Sequence, residues 1–329
     1  MFKGNRLYFI LPGLLFFFFT ISQTTASALT IEDARTPTSP AFKLLDIAPS
    51  LIEKPQTPRQ LGLNLLTAYD GNDIGIDFAP YWFFPHNELE FKQYYNPDFV
   101  QSIQQNLSVS LISANVSASQ TTRALGVGIK TILVQGRPSK KLEGIKKDIL
   151  VEQDKILDGE GDPDRLKELN LNFQEESKHR EGFIVEVGCA IANNYPQNNW
   201  SNSQPLKNGF WLTPSFTREN IDFIGVFRRI SDKALNQNYS DYGAKFCYHI
   251  NNLFAASGEY LSRSISNAGN TQRYALILEY QLDKDRIITG SIGKDFDNTS
   301  FNPSNNPNMI AFLGLNWGFG DKPSIEIKN

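Results

Sequence analysis

The sequence is poor in cysteine and histidine, with two and three of them in 329 residues. It also lacks a long apolar run after residue 28, because charged residues interrupt every stretch well before the ~18 apolar residues that indicate a transmembrane helix. The net charge of -3 leaves no basic footprint for nucleic acid. These absences exclude a helical membrane protein and argue against a nucleic-acid partner.

The first residues have the pattern of an export signal. Lys3 and Arg6 precede an apolar run, and residues 26–28 fit a small-residue cleavage site. The alternative is an uncleaved membrane anchor, but the run is short for a helical span, which needs ~20 residues. We therefore expect residues 1–28 to be removed and the mature chain to begin at Leu29.

From residue 61 onward, short stretches alternate between apolar and polar residues. In residues 273–282 the even positions are all apolar, whereas the odd positions include Arg273, Glu279 and Gln281. This period of two indicates strands with one apolar face. The predicted strands are residues 61–69, 75–84, 103–114, 122–135, 182–193, 208–217, 221–231, 240–250, 252–263, 272–282, 286–295 and 308–319.

Most of these segments reach the ~9–11 residues that a tilted strand needs to cross a bilayer. An even number of such strands after an export signal predicts an antiparallel transmembrane β-barrel of about 12 strands in a bacterial outer membrane. The fold class expected is therefore all-β, with the barrel in residues 61–320 and a polar tail in residues 321–329.

The links between strands predict an orientation, because such barrels have short periplasmic turns and longer extracellular loops. Tight links at residues 218–220 and 283–285 alternate with longer polar links, such as residues 194–207 and 296–307. With both termini in the periplasm, the tight links would be the periplasmic ones. The phase of the strands at residues 208–217, 221–231 and 286–295 stays ambiguous.

Two segments do not fit the strand pattern. Residues 29–60 are rich in proline, which disfavours regular strand pairing, so they form a partly ordered tail, a periplasmic linker or a segment tucked into the barrel mouth. Residues 136–181 contain apolar residues at helical spacing, which predicts a charged helical hairpin on the periplasmic side. The stripe consists of Leu142, Ile145, Ile149, Ile156, Leu166, Leu169 and Phe173.

The two cysteines are expected to face opposite ways. Cys189 shares a face with Val185 and Val187, towards lipid, whereas Cys247 shares a face with Lys245, towards the lumen. A disulfide needs Cβ atoms that point at each other, so both cysteines are interpreted as packing residues.

Charged residues of both signs are predicted on the lumen side. Twelve strands enclose less room than the about sixteen to eighteen of a water-filled porin. The interior is therefore either a salt-bridged plug or a narrow polar pore. The lumen-lining candidates are Asp77, Lys130, Glu186, Lys245, His249, Glu259, Arg273 and Glu279.

Enzyme chemistry has little support. There is no G-x-S-x-G motif, although Ser257 and Glu259 could fall near His249 on a neighbouring strand. The acidic turn at residues 158–164 has Pro163 where a calcium-binding EF-hand loop needs glycine. No catalytic residue, metal site or cofactor is therefore expected.

Several short motifs are distinctive: residues 39–45, Pro49, residues 52–55, residues 57–58, Ala79-Pro80-Tyr81-Trp82 and Gly293-Lys294-Asp295-Phe296. In these motifs the chain resembles uncharacterised outer-membrane β-barrel proteins of Bacteroidota. The resemblance spans most of the mature chain and implies an outer-membrane barrel without a stated activity. The final strand ends near Phe319 rather than at the last residue, which departs from the terminal aromatic signal of many such barrels.

Three functions are therefore considered. The first is a narrow channel or transport component, and the second is a structural barrel that docks a periplasmic protein through residues 137–180. A barrel hydrolase is the remote alternative. The expected partners are outer-membrane lipid and the machinery that inserts barrels into that membrane.

Overall fold

The computed structural model describes residues 38–68, 71–84, 93–94, 97–116, 122–177, 179–266, 269–297 and 309–319. The strands are β1 (Leu61–Ala68), β2 (Gly71–Phe78), β3 (Ser108–Asn115), β4 (Thr122–Val134), β5 (Arg137–Pro138), β6 (Arg180–Pro196), β7 (Gln204–Arg218), β8 (Ile221–Asp232), β9 (Gln237–His249), β10 (Phe254–Ile265), β11 (Gly269–Gln281), β12 (Arg286–Lys294) and β13 (Met309–Phe319). The helices are α1 (Pro40–Leu44), α2 (Pro80–Phe83), α3 (Phe99–Asn106), α4 (Lys140–Leu157) and α5 (Pro163–Glu176).

The sheet is a closed antiparallel barrel. Neighbouring strands pair in chain order, β4 pairs with β6 across the insertion, and β1 pairs with β13 to close the ring. Twelve strands form the wall, while β5 lies outside it and pairs only with the start of β6. The predicted all-β barrel with a helical hairpin is confirmed.

The outer surface of the barrel is apolar. Strand residues alternate between buried and exposed positions, and the exposed ones are largely aliphatic and aromatic. A water-exposed surface rarely carries so many large apolar side chains together, so this face suits lipid. Examples are Ile74, Ile76, Leu111, Val127, Ile129, Ile191, Phe210, Phe216, Phe223, Tyr242, Phe246, Tyr260, Tyr274, Leu276, Ile292 and Leu313.

The structure resolves the ambiguous strand phases and gives the position of both cysteines. In β8, Arg228 is buried in the lumen, whereas Arg229 is on the outer face and bonds the Ser240 hydroxyl. Cys189 is exposed on the outer face and Cys247 is buried on the inner face, as their phases predict.

Several predicted boundaries are wrong. The second strand spans residues 71–78 rather than 75–84, because Pro80 begins α2. The third strand begins at Ser108, since residues 99–106 form α3 behind the capping box of Asp98 and Gln101. Backbone pairing of β6 with β7 also continues past the apolar part of both strands, which shortens the link predicted at residues 194–207 to residues 197–203.

The insertion folds as a helical hairpin, as predicted, and the residues of its apolar stripe are buried or half-buried. Leu142, Ile149 and Phe173 form its core together with Tyr94, and Trp82 packs against them from the link between β2 and β3. The Ser139 hydroxyl accepts a hydrogen bond from Leu142 N and so caps α4. No helix among the described residues has the length and apolarity needed to cross a membrane.

The hairpin core yields a first prediction. Phe173→Ala removes a side chain that is 0% exposed and should cost the hairpin roughly 3–5 kcal/mol. Amide hydrogen exchange across α4 and α5 should then accelerate in the detergent-solubilised protein. Leu171→Ala, at a side chain that is 54% exposed, is the control and should change exchange little. Equal protection in the two variants would contradict this packing.

Candidate functional site

The lumen of the barrel is occupied by the N-terminal part of the chain. Every residue from Thr38 to Arg59 is buried or half-buried, and we name residues 38–59 the plug. Of the three alternatives for residues 29–60, the structure places this part inside the barrel. Residues 29–37 lie outside the described part of the chain.

The plug reverses direction inside the barrel. Thr38 donates from its backbone N–H to Glu53, at 2.9 Å, so the two arms of the plug lie side by side. The reversal follows α1 at Asp46, whose φ of 63° lies in the left-handed region that few residues other than glycine adopt. Asp46 is therefore the tip of the plug.

Both arms point towards the end of the barrel at which β7 turns into β8 and β11 turns into β12. Lys54 forms an ion pair of 3.0 Å with Asp222, two residues after the turn between β7 and β8. Arg59 pairs with Asp285 in the turn between β11 and β12, at 2.7 Å. The helical insertion leaves the wall at the same end, because it connects β4 to β6.

Apolar contacts fix the plug laterally. Its buried side chains join wall residues in the largest apolar cluster of the described structure. The plug contributes Ala41, Phe42, Leu44, Leu45, Ala48, Leu51 and Ile52, and the wall contributes Leu66, Ile112, Ala124, Ala190, Trp211, Ile224, Val226, Tyr239, Leu261 and others.

Glycines of the wall provide the space for this contact. A Cβ atom at Gly128 would lie 2.6 Å from Cβ of Pro40, and one at Gly126 would lie 2.8 Å from Cβ of Ala41. Both distances are shorter than van der Waals contact. The plug backbone therefore approaches β4 more closely than any larger residue would allow.

The tip carboxylate is held by arginines from the wall. Both Nη atoms of Arg263 donate to the two oxygens of Asp46, at 2.8 and 2.9 Å, and Arg228 Nη2 donates at 3.0 Å. Asp241 accepts hydrogen bonds from the same two arginines. Two guanidinium groups and two carboxylates therefore form one buried network, with the Lys207 ammonium 3.5 Å from Asp46.

Arginine side chains also bind the plug backbone near the tip. Arg228 donates to the carbonyl of Lys43 at 2.7 Å, and Arg273 donates to the carbonyl of Ala48 at 2.9 Å. Arg273 also donates to the carbonyl of Asp46, at 3.1 Å. These bonds satisfy carbonyl groups that no strand pairing would satisfy.

Glu259 holds the descending arm of the plug. Its carboxylate accepts hydrogen bonds from the backbone N–H groups of Leu51 and Ile52, at 3.0 and 2.9 Å, and from the Ser50 hydroxyl at 2.7 Å. Lys245, directly opposite Glu259 on β9, donates to the same hydroxyl at 3.0 Å. Glu259 therefore binds both the backbone and a side chain of the plug.

All eight predicted lumen-lining residues lie on the inner side of the wall. Seven are buried, and His249 is half-buried near the end of β9. Asp77, Lys130 and Glu186 interact electrostatically with the Lys43–Glu53 ion pair of the plug. Glu279 is buried on the inner face of β11.

The grouping required for a hydrolase does not form. His249 Nε2 is 2.8 Å from Asp222, and Glu259 is bound to the plug. The Ser257 hydroxyl is buried without a hydrogen-bond partner in the described structure. No nucleophile–base pair is therefore assembled from these residues.

A cavity of about 410 Å³ lies where the plug, the barrel rim and the base of the hairpin meet. Lys54, Thr217, Glu176 and His249 are among its lining residues. Burial raises the pKa of Glu176, but hydrogen bonds from Ser139 and Lys141 outweigh this effect and hold the pKa below its usual range. The hairpin base is thus anchored by an ionised carboxylate beside this cavity.

No family model matches the chain, and no curated protein matches it. Among solved structures it is similar to the KdgM porin in complex with disordered oligogalacturonate, at 9% identity over 79% of this chain and 99% of that chain, with a TM-score of 0.41. The NanC porin has 9% identity over 79% and 100%, with a TM-score of 0.40. Omp33 of Acinetobacter baumannii has 10% identity over 79% and 98%, with a TM-score of 0.36.

The residues that sequence reasoning missed are those of the tip network. Arg263 shares the inner face of β10 with Glu259, so the period of two already indicated it, and Asp241 precedes Lys245 by four residues on the same face. Arg228 could not be assigned to the inner face because Arg229 is adjacent to it, and two neighbouring arginines do not show which of them faces the lumen. For Asp46 no local signal exists, because its partners lie more than 150 residues away in sequence.

The close approach at β4 yields a second prediction. In Gly128→Ala the new methyl group meets the rigid ring of Pro40, and such overpacking costs roughly 1–3 kcal/mol. Trypsin should therefore cleave the plug after Lys43 roughly ten- to a hundredfold faster than in the wild type.

The control for this experiment is Gly258→Ala, a strand glycine with open space around the added methyl group. Its cleavage rate should match the wild type. If Gly128→Ala and Gly258→Ala are cleaved at the same rate, the plug is not seated against β4.

Proposed function

We propose that the chain is an outer-membrane barrel that acts as a transport component, closed by its own plug and opened when the plug is displaced. The observation that supports this most directly is the buried network between Asp46 and the wall arginines. This network holds the plug against the wall across the lumen through non-covalent contacts.

The size of the barrel supports a channel that requires closing. About eight strands enclose a space that side chains can fill, whereas about sixteen to eighteen leave a water-filled channel. The twelve-stranded wall lies between these limits, and its centre is filled by a separate segment rather than by strand side chains alone. Displacing that segment would leave a lumen lined by polar and charged residues.

The outer surface supports the proposed location. The closed ring of paired strands satisfies backbone groups within the wall, and its apolar exterior presents hydrocarbon to lipid. The export pattern of residues 1–28 fits a bacterial outer membrane, and the tight turns at residues 219–220 and 282–285, at the end where the hairpin leaves the wall, fit a hairpin on the periplasmic side. A barrel without enzymatic activity is part of this proposal.

The tip network gives the test of the proposed function. Asp46→Ala leaves Arg228, Arg263 and Lys207 with one carboxylate fewer inside the barrel. Breaking a buried pair in this way costs roughly 3–5 kcal/mol, so the open fraction should rise roughly a hundredfold or more. Single-channel recording in planar bilayers should show rare openings for the wild type and frequent openings for the variant.

Asp148→Ala removes an exposed carboxylate from α4 and is the matched control. It should conduct as the wild type does. A persistently closed Asp46→Ala variant, with the barrel intact by circular dichroism, would argue for a structural barrel instead of a channel.

A docking function of the hairpin is a second candidate, favoured by its exposed apolar residues. Leu157 is 80% exposed, and Leu171 and Leu150 are 54% and 47% exposed. Cross-linking in cell envelopes should capture a periplasmic protein on the wild type and lose it in Leu157→Asp. Lys167→Asp, which alters charge on the same hairpin, is the control. Identical cross-links in all three proteins would remove this candidate.

A further inference from the structure

Three side chains with metal-binding atoms converge on the inner wall near the turn between β7 and β8. Asp222, Cys247 and His249 place one carboxylate oxygen, one sulfur and one imidazole nitrogen within 4.8 Å of one another. Asp222 and Cys247 are direct partners across β8 and β9, and His249 follows two positions later on the same face. The strand register therefore holds these three atoms together.

The spacing is close to that of a zinc site. His249 Nε2 lies 2.8 Å from Asp222 Oδ2 and 3.9 Å from Cys247 Sγ. Zinc bonds of about 2.0–2.3 Å in tetrahedral geometry place ligand atoms roughly 3.3–3.8 Å apart, so side-chain rotations that move these atoms by about 1 Å would form the site. Sulfur and imidazole ligands together favour zinc over calcium or magnesium.

The surroundings provide access and a further ligand. His249 and Thr217 both line the cavity of about 410 Å³ at the barrel mouth, which gives a metal ion a route and water a place in the fourth position. Asp222 is oriented by its neighbour, because the Thr217 hydroxyl donates to Oδ1 at 2.7 Å and leaves Oδ2 towards His249.

The same carboxylate is also an anchor of the plug. Lys54 Nζ lies 3.0 Å from Asp222 Oδ1, whereas the second carboxylate oxygen, Oδ2, faces His249. A divalent cation at Oδ2 would therefore repel the Lys54 ammonium across a single carboxylate. Metal binding would weaken the association of Lys54 with Asp222, and this association would lower the affinity for the metal by the same factor, because linkage between two binding equilibria is reciprocal.

We propose that Asp222, Cys247 and His249 form a zinc-binding site whose occupation weakens the Lys54 anchor of the plug. The site stands on the wall geometry alone, while its effect on opening rests on the proposed function. Zinc would bind Nε2 of a neutral His249 and bind Cys247 as a thiolate, so binding would release the thiol proton to solvent.

The test uses the full-length mature protein in metal-free detergent buffer. Co²⁺, which replaces Zn²⁺ in such sites, should give a thiolate charge-transfer absorption band, and calorimetry should give one Zn²⁺ per chain. Cys247→Ser should abolish the band. Cys189→Ser removes the lipid-facing cysteine and His179→Ala removes another histidine of the cavity, and both should leave it unchanged. A band that survives Cys247→Ser, or no band in the wild type, would overturn the site.

Lys54→Met tests the coupling to the plug. Removing the opposing ammonium should tighten Zn²⁺ binding roughly tenfold or more in calorimetry. An unchanged affinity would overturn the coupling. Because neither measurement uses conductance, a closed Asp46→Ala channel together with normal Zn²⁺ binding would reject the proposed function and leave the metal site standing.

Discussion

The buried carboxylate of Asp46 is the constraint on which the rest of the lumen depends. Inside the barrel, Arg228 and Arg263 are fully desolvated, and the single wall carboxylate of Asp241 cannot neutralise both. Asp46 supplies the missing charge, so the wall and the plug are electrostatically complete only together. Because Arg228 and Arg263 extend from β8 and β10 on either side of Asp241, the tip of the plug also fixes the relative position of these strands.

In the proposed function, the charged contacts of the plug would allow it to leave the lumen and to return. A buried ion pair adds little net stability, because desolvation of the charges offsets most of their attraction. Water entering an emptied lumen would restore hydration to the arginines and to Glu259, so leaving is less costly for this plug than for a purely apolar one. The glycines at positions 126 and 128 act differently, since they determine how closely the plug can approach β4.

The strands and their inner faces were predictable because alternation is a local property of the chain. Lys245 and Glu259 could be assigned to the lumen from their immediate neighbours, and the hairpin stripe could be assigned in the same way. The sequence left the plug as one of three alternatives for residues 29–60, because its contacts link distant positions, as between Ser50 and Glu259, which are 209 residues apart. Proline content indicated only that residues 29–60 avoid strand pairing. The link between β6 and β7 is shorter than its polar composition predicts, because backbone pairing between these strands extends into polar residues.

The charges of the plug also determine which way round it sits. Its tip carries the carboxylate of Asp46 and meets arginines, while its base carries Lys54 and Arg59 and meets Asp222 and Asp285. An inverted or shifted plug would bring cation to cation at one end and carboxylate to carboxylate at the other, and like charges placed together in a desolvated site cost several kcal/mol. The two ends therefore differ in what can release them. An anion would compete with Asp46 at the tip, and a cation would compete with Lys54 at the base, where Cys247 and His249 lie beside Asp222.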